Sequence, residues 1–259
     1  MIKMAEQYCN NRRLNKHRIL PEIGFGLALI VSGVSSTLAD STRLAQAVTG
    51  KIVIDGVIYG DGGLQLPTGS GDFGRDERQL EAFRSVKILG GVDVNYQRGS
   101  VQQVQITGDR NLLPLIKTQV SQGILTIGST KSYQTQLPLT VELSSPVLTA
   151  MTMRGAGDIV LKGLDEESLR LELNGSGNVK AEGKVGHLSV DLTGASDVDA
   201  KNLISEQAEI RLTGSGDLDL TVKDFLKVQI MGSGDVTYYG NPVKIEKRII
   251  GSGDIQPGD

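Results

Sequence analysis

The sequence predicts an all-β protein, a parallel β-helix (β-solenoid) that turns in the right-handed sense, with coils of about 19 residues. A glycine-rich corner motif recurs at an even spacing, and apolar and polar residues alternate on both sides of it. The composition agrees, since glycine supplies 33 of the 259 residues, tryptophan is absent and aromatic residues make up 4%. Because glycine weakens helices, this composition favours a turn-rich β protein.

A short motif that begins with glycine repeats six times in the C-terminal half of the chain. Successive motifs are 20, 19, 20, 18 and 19 residues apart, and such an even period is typical of a solenoid. Glycine supplies the backbone conformation that a sharp corner requires. The motifs are GAGDIVL from Gly155, GSGNVKA from Gly175, GASDVDA from Gly194, GSGDLDL from Gly214, GSGDVTY from Gly232 and GSGDIQP from Gly251.

Apolar residues flank each corner at alternate positions, as Leu212, Ile210 and Leu218 do around one of them. A period of two places these side chains on one face of a strand. Since so thin a unit cannot bury its apolar face alone, we expect the coils to stack in parallel, about 4.8 Å apart, around one core. Thr149 and Lys247 break the apolar register, and we expect them in terminal coils, which need capping.

The N-terminal part of the chain divides into two further regions. Residues 1–39 are predicted to be a signal peptide, with basic residues ahead of the apolar stretch Ile23–Val34. At 12 residues this stretch is short for a membrane span, although an uncut anchor is the alternative, and cleavage can fall as late as residue 47. Residues 40–78 read as a linker and flexible N-terminal segment, and residues 79–259 as the β-helix domain.

The sequence offers little for catalysis or for metal binding. Cys9, the only cysteine, would leave with the signal peptide, so neither a disulfide nor a thiolate metal site is expected. His187 is the single histidine after residue 39 and falls in a glycine-rich return loop, where a lone histidine is typically solvated. We therefore predict no catalytic residues, no metal site and no cofactor. The net charge of −3 argues against nucleic acid as a partner, and no membrane span is expected once the signal is removed.

The last polar residue of each corner forms a column when the coils stack. As a structural column, its members would accept backbone N–H bonds, as in an Asx turn. As a binding column, it would hold calcium, which relieves repulsion between stacked carboxylates. The known nonapeptide calcium repeat has a different period, so we favour the structural interpretation. The candidate residues are Asp158, Asn178, Asp197, Asp217, Asp235 and Asp254.

Charged residues also form columns on the outward face of the predicted strands. Neighbouring members mostly alternate in sign, which an in-register parallel ladder favours. We interpret these columns as a solvated charged face; the alternative is a sugar-binding cleft, which usually adds exposed aromatic residues. One column is Glu172, Asp191, Arg211, Gln229 and Arg248, and the other is Arg170, Ser189, Glu209, Lys227 and Glu246.

Read in order, GAGDI, GSGNV, GASDV, GSGDL, GSGDV and GSGDI resemble the family called "putative auto-transporter adhesin, head GIN domain". The preceding segment Leu80–Ser129, which includes FRSVKILGGVDV and VQITGDRNLL, resembles the opening of that family, and Leu137–Ile159 resembles its next step. The resemblance spans about residues 80 to 255. It implies a β-helical fold in an exported bacterial protein and supplies no catalytic residues.

Together these features predict a non-enzymatic protein of the bacterial cell envelope, located in the periplasm or at the surface. Its rigid β-helix would serve in binding, adhesion or structure, with a glycan or an envelope protein as partner. The alternatives are a β-helix carbohydrate-active enzyme, either a polysaccharide lyase or a hydrolase, and a calcium-stabilised solenoid. Carboxylates clustered in a cleft beside Arg or Lys would favour the enzyme, whereas a uniformly paired charged face would favour the binding module.

Overall fold

The computed structural model describes residues 52–54, 57–60, 63–64 and 66–259. The predicted signal peptide lies outside these residues. In the described part of the chain, no helix is long and apolar enough to cross a membrane. The helical content there is a single 3-10 turn, Leu113–Leu115. The strands are β1 (Ile52–Ile54), β2 (Val57–Gly60), β3 (Gly63–Leu64), β4 (Phe73–Glu77), β5 (Ser85–Gly91), β6 (Asp93–Arg98), β7 (Gln103–Asp109), β8 (Ile116–Ser121), β9 (Ile124–Ser129), β10 (Thr140–Ser145), β11 (Ala150–Ala156), β12 (Ile159–Ser176), β13 (Asn178–Gly194), β14 (Asp197–Gly214), β15 (Leu218–Gly232), β16 (Val236–Tyr239), β17 (Lys244–Gly251) and β18 (Ile255–Pro257).

The repeats form a parallel β-solenoid, as the sequence predicts. Strands β11 to β18 pair in parallel, each with the strand one coil away. Corner glycines lie directly opposite one another, so that Gly194 pairs with Gly175 on one side and with Gly214 on the other. The period of about 19 residues is therefore the length of one coil.

The returns between coils are bends within strands, where the sequence predicts glycine-marked loops. Strands β12 to β15 run for 15 to 18 residues, from one corner round to the next. In β12 the pairing register shifts between Leu161 and Leu164, on either side of Gly163. Gly163 has φ +68, which lets the chain turn there without leaving the sheet.

The core is the stack of apolar side chains that the alternation predicts. Its residues are buried, and those of the repeats lie above the equivalent residue of the next coil. Continuous stacking lets thin coils share one apolar interior, which supplies most of the stabilisation. One column, followed through the stack, consists of Val86, Met151, Leu171, Val190, Ile210 and Val228.

The order of coils along the chain differs from their order in the stack. Strands β5 and β6 come first in the solenoid sequence, yet β9 and β10 pair on one side of them and β11 and β12 on the other. Antiparallel strands then close this end, with β8 on β9, β7 on β10 and β4 on β7. Along the chain, the second coil of the stack (β5 and β6) therefore precedes the outermost coil (β9 and β10).

Thr149 lies in an interior coil, contrary to the expectation that it belongs to a terminal one. It precedes β11, which is paired on both sides. Its hydroxyl donates to the carbonyl oxygen of Arg84 at 3.1 Å and lies 3.1 Å from the hydroxyl of Ser85. These hydrogen bonds satisfy the polar group, so no end position is needed to accommodate it.

The segment 40–78 differs from the predicted flexible linker in its described part. Strands β1, β2 and β3 form a small antiparallel sheet. From Leu66 onward the chain joins the solenoid, since β4 pairs with β7 and the N–H of Gly69 donates to Gln134 at 2.7 Å. The structured domain therefore begins before residue 79.

A buried carboxylate, Asp109, fastens this segment to the solenoid. Its oxygens accept N–H groups from Gly71 at 2.7 Å, Gln136 at 2.9 Å and Leu137 at 3.0 Å. Burial raises the pKa of Asp109, but the three backbone N–H donors outweigh it, so the pKa lies below its usual value. Asp109 thus stays ionised and joins three separate stretches of chain.

Candidate functional site

The corner residues singled out from the sequence form one outward row along the stack. In this row, a carboxylate of one coil accepts the backbone N–H of the equivalent residue in the next coil. These hydrogen bonds join Asp158 to Asn178 at 3.0 Å, Asp197 to Asp217 at 2.9 Å, Asp217 to Asp235 at 2.9 Å and Asp235 to Asp254 at 2.8 Å. We call this row the corner ladder.

The corner ladder differs from an Asx turn, because its hydrogen bonds run between coils and do not close a turn within one coil. The glycines explain why the coils approach so closely. Gly214 has φ +133, and a Cβ placed there would lie 2.0 Å from the carbonyl oxygen of Gly194. A side chain is therefore excluded both by the backbone conformation and by the neighbouring coil.

Near the last coils, the corner ladder borders an acidic surface depression of about 360 Å³. Asp199 and Asp219 add two carboxylates to it. Asp197, Asp217 and Asp235 are already engaged with backbone N–H groups. Within the described ranges, no group of three or more His, Cys, Asp or Glu side chains is arranged to hold a metal ion. The depression therefore supplies no calcium site of recognisable geometry.

The two outward charged columns form one continuous network of ion pairs. Members of each column lie opposite one another in the parallel register, as predicted. Three of the basic side chains, Arg170, Arg211 and Lys227, reach an acidic partner on their own or the adjacent strand. The contacts are Arg170 to Glu172 at 2.7 Å, Arg170 to Asp191 at 2.6 Å, Arg211 to Asp191 at 3.2 Å, Arg211 to Glu209 at 2.6 Å and Lys227 to Glu209 at 3.0 Å. We call this set the outward network.

Charge pairing in the outward network shifts the pKa of Glu209 and of Arg170 toward their charged forms. The hydrogen bond from Lys227 is the main cause that lowers the pKa of Glu209, and Arg211 adds to the effect. At the other end, the hydrogen bond to Glu172 is the main cause that raises the pKa of Arg170. A carboxylic general acid would need a raised pKa, so Glu209 is suited to holding charge and not to donating a proton.

Aromatic side chains near the repeats are covered by lysines. The ammonium of Lys201 lies 3.9 Å from the ring centre of Tyr239, and that of Lys244 lies 5.3 Å from the ring centre of Phe225. A sugar ring could stack on these aromatic side chains only if they were open. The arrangement therefore favours a solvated charged face over a sugar cleft at the outward network.

The chain matches the family described as "Putative auto-transporter adhesin, head GIN domain" over residues 82–242. The chain belongs to this family. The match includes the opening segment and the first five corner motifs, while the sixth, from Gly251, lies beyond it. No curated protein shows significant similarity to the chain.

Two solved structures similar to this GIN-domain chain are described as putative adhesins. The Bacteroides fragilis NCTC 9343 protein is 20% identical, with a TM-score of 0.60, and the alignment covers 74% of this chain and 99% of that one. The Parabacteroides merdae ATCC 43184 protein is also 20% identical, with a TM-score of 0.49 and coverage of 74% and 98%. The similarity to the Bacteroides fragilis protein shows a shared fold.

The GIN domain contains a further corner, in addition to the six repeated motifs. Gly90 lies opposite Gly155 in the pairing of β5 with β11. Three residues later, Asp93 accepts the backbone N–H of Asp158 at 2.9 Å, so it extends the corner ladder by one coil. The sequence of this corner, GGVD, has the same glycine-to-aspartate spacing as GSGD. It lies outside the regular period, because 65 residues separate it from the next corner.

His187 lies within strand β13 of the GIN domain and not in the predicted loop. It is exposed, and its neighbours in the adjacent coils are Ser168 and Gln207. In the described part of the chain, no hydrogen bond joins its ring to Ser168 or to a carboxylate. The residues of a Ser-His-Asp set are therefore not assembled around it.

Proposed function

We propose that this GIN-domain protein is exported to the bacterial cell envelope, in the periplasm or at the surface, and acts there as a rigid, non-enzymatic binding or adhesion-like module. The observation that carries the proposal is the outward network, in which acidic and basic side chains neutralise one another along the stack. Similarity to a structure described as a putative adhesin supports the same function.

Rigidity is the physical property that such a module needs. Long strands, a single stacked core and the corner ladder fix the backbone from which the outward side chains project. A preorganised surface loses little conformational entropy when it binds, so a larger share of the contact energy appears as affinity. The solenoid thus suits repeated, shallow contacts better than enclosure of a small substrate.

A glycan array tests the binding function against the enzymatic alternative. Purified full-length protein is applied to the array, and the soluble products of every retained glycan are then analysed. We expect retention without cleavage. New reducing ends would establish a hydrolase, and unsaturated uronate products would establish a polysaccharide lyase; either result would overturn the non-enzymatic proposal.

Fractionation of cells that produce the full-length chain tests export. We expect the protein in the periplasm or at the cell surface, with a new N-terminus between residues 40 and 48 identified by mass spectrometry. An intact N-terminus in the membrane fraction would support the retained anchor instead. Recovery in the cytoplasm would contradict the proposed location.

A further inference from the structure

A polar cleft of about 420 Å³ lies at the N-terminal end of the solenoid. Its volume falls in the range of ligand sites, about 300–1,000 Å³. Side chains from β4, β6, β7 and β10 line its floor, and Gln79 and Leu80 belong to one wall. Neither the repeat motifs nor the outward network contribute to it, so the corner and charge patterns of the sequence give no sign of it.

The floor of the cleft is a regular array of amide, carboxylate and hydroxyl groups. Neighbouring strands are about 4.8 Å apart, and residues on the same face of one strand are about 6.8 Å apart. Pairing places these groups in two rows on the outward side of the sheet. One row is Glu77, Gln105 and Glu142, and the other is Gln103, Ser144 and Gln97.

One wall of the cleft is fixed by a glutamine whose amide is fully used. The Nε2 of Gln102 donates to the carbonyl oxygens of Leu80 at 3.2 Å and Glu81 at 2.9 Å. Its Oε1 accepts the N–H of Phe83 at 3.1 Å. Since this wall is held before any ligand arrives, binding would cost little ordering of the chain.

Arg78 lines the cleft and is held in place by its guanidinium group. Its Nη2 donates to the carbonyl oxygens of Leu113 at 3.2 Å and Ile116 at 3.3 Å, and it pairs with Asp76 at 2.9 Å. Because these contacts fix the side chain, Arg78 forms a rigid part of the cleft and its charge is already compensated.

The chemistry of these groups selects the class of ligand. A side-chain amide donates and accepts at once, and carboxylates accept, so the array matches molecules that are rich in hydroxyl groups. Glu77 and Glu142 make the cleft negative, because Asp76 already compensates the charge of Arg78. Acidic saccharides would be repelled, since like charges in a confined site are unfavourable.

We propose that this cleft is a binding site for uncharged oligosaccharides, recognised by the amides of Gln103 and Gln105 and oriented by Glu77 and Glu142. The proposal rests on the proposed binding function and names its ligand class and its site. It assigns recognition to the antiparallel cap of the solenoid, whereas the repeats serve as its rigid support.

The test uses full-length protein on an array of neutral, amino and acidic oligosaccharides, followed by titration calorimetry with the neutral oligosaccharide that is retained most strongly. We expect neutral glycans to be retained and acidic ones to be excluded. Gln103→Ala and Gln105→Ala should each weaken binding about tenfold, the effect of one lost hydrogen bond. Gln119→Ala is the matched control, because Gln119 is an exposed glutamine on β8 outside the cleft.

The possible results separate this site from the function on which it rests. Circular dichroism first establishes that each variant melts like the unmodified protein. Retention of neutral glycans by all variants alike would overturn the site but leave the binding function intact. Preference for acidic glycans, or no retention of neutral ones, would overturn the ligand class. Binding that is lost equally in the Gln119→Ala control would also contradict the assignment.

Discussion

At the scale of single residues, the corners are determined by how closely two coils approach. Glycine is required because the carbonyl oxygen of the neighbouring coil occupies the space of a Cβ, as at Gly214. Aspartate is suited to the end of the corner because its carboxylate reaches the N–H of the next coil, as Asp217 does. The requirement for glycine and the hydrogen bond of aspartate both depend on a residue in the adjacent coil. Both therefore arise only when the coils stack.

Replacement of Gly214 by alanine should destabilise the protein by about 2–5 kcal/mol, from a strained φ together with a main-chain clash. Gly91→Ala is the matched control, because a Cβ there meets its nearest atom, the carbonyl oxygen of Ala156, at 3.4 Å. Urea unfolding of both variants measures the difference. Equal stabilities would show that the close approach of the corners has been misjudged.

The corner ladder predicts different effects for two substitutions of Asp217. Asp217→Ala removes the acceptor for the N–H of Asp235 and should lower stability by about 1 kcal/mol. Asp217→Asn keeps an acceptor oxygen and should lower the stability by less.

The effect of calcium is tested by measuring the melting temperature of both variants with millimolar calcium and with a chelator. We expect no shift with calcium; a melting temperature that rises with calcium and falls with chelator would establish the calcium-stabilised solenoid.

At the scale of elements, each strand stabilises its neighbours on both faces. The inward side chains of β14 stack on those of β13 and β15, while its outward Arg211 and Glu209 continue the outward network. Exposed ion pairs are worth little one at a time, about 0.2–1 kcal/mol, so the network chiefly specifies register and surface. The apolar core supplies most of the stability.

Glu209→Gln should lower the stability near neutral pH by about 0.5–1 kcal/mol, because Glu209 joins Arg211 and Lys227. The pKa of Glu209 is lowered in the folded protein, so its contribution is fully present above the unfolded value, about 4.3. The contribution disappears as the pH falls through the lower folded value. Denaturant unfolding across this range measures the difference, which should vanish in strong acid.

The control for this substitution is Glu206→Gln, which breaks a single exposed pair with Lys223 at 3.0 Å. Its effect should be close to zero at every pH, since both side chains are more than half exposed. An effect of Glu209→Gln that persists unchanged in acid would show that packing, and not charge, stabilises this position.

At the scale of the whole solenoid, the two ends are closed by different means. Antiparallel strands cover the N-terminal end. At the C-terminal end, Lys247 occupies the inward column opposite Val228, and its ammonium donates to the carbonyl oxygen of Ile255 at 2.9 Å. An inward charge and Pro257 on the last strand are features that discourage another strand from adding to an open edge.

Lys247→Leu should therefore promote self-association at the C-terminal end, because it removes the charge and extends the apolar column. We expect the molecular mass to rise with protein concentration in analytical ultracentrifugation. Arg248→Leu is the control, since it adds the same side chain on the outward face of the same strand. Self-association of the control alone, or of neither variant, would contradict this function of Lys247.

Much of the solenoid could be predicted from the sequence because its contacts repeat at one spacing. Each inward side chain, such as Leu171 or Ile210, meets an equivalent residue about 19 positions away. A regular period turns long-range contacts into a visible pattern. The corner ladder could likewise be placed from the sequence, apart from Asp93, whose corner lies 65 residues before the next.

The coil length, the inward face, the corner residues and the family can all be derived from the amino-acid sequence. The order of the first coils, the attachment of residues 66–78 through Asp109 and the polar cleft emerge only in the folded chain. These features depend on pairings between segments that share no period, such as β4 with β7 and β10 with β6. Such pairings are selected by the packing energy of the folded chain, which no local pattern encodes.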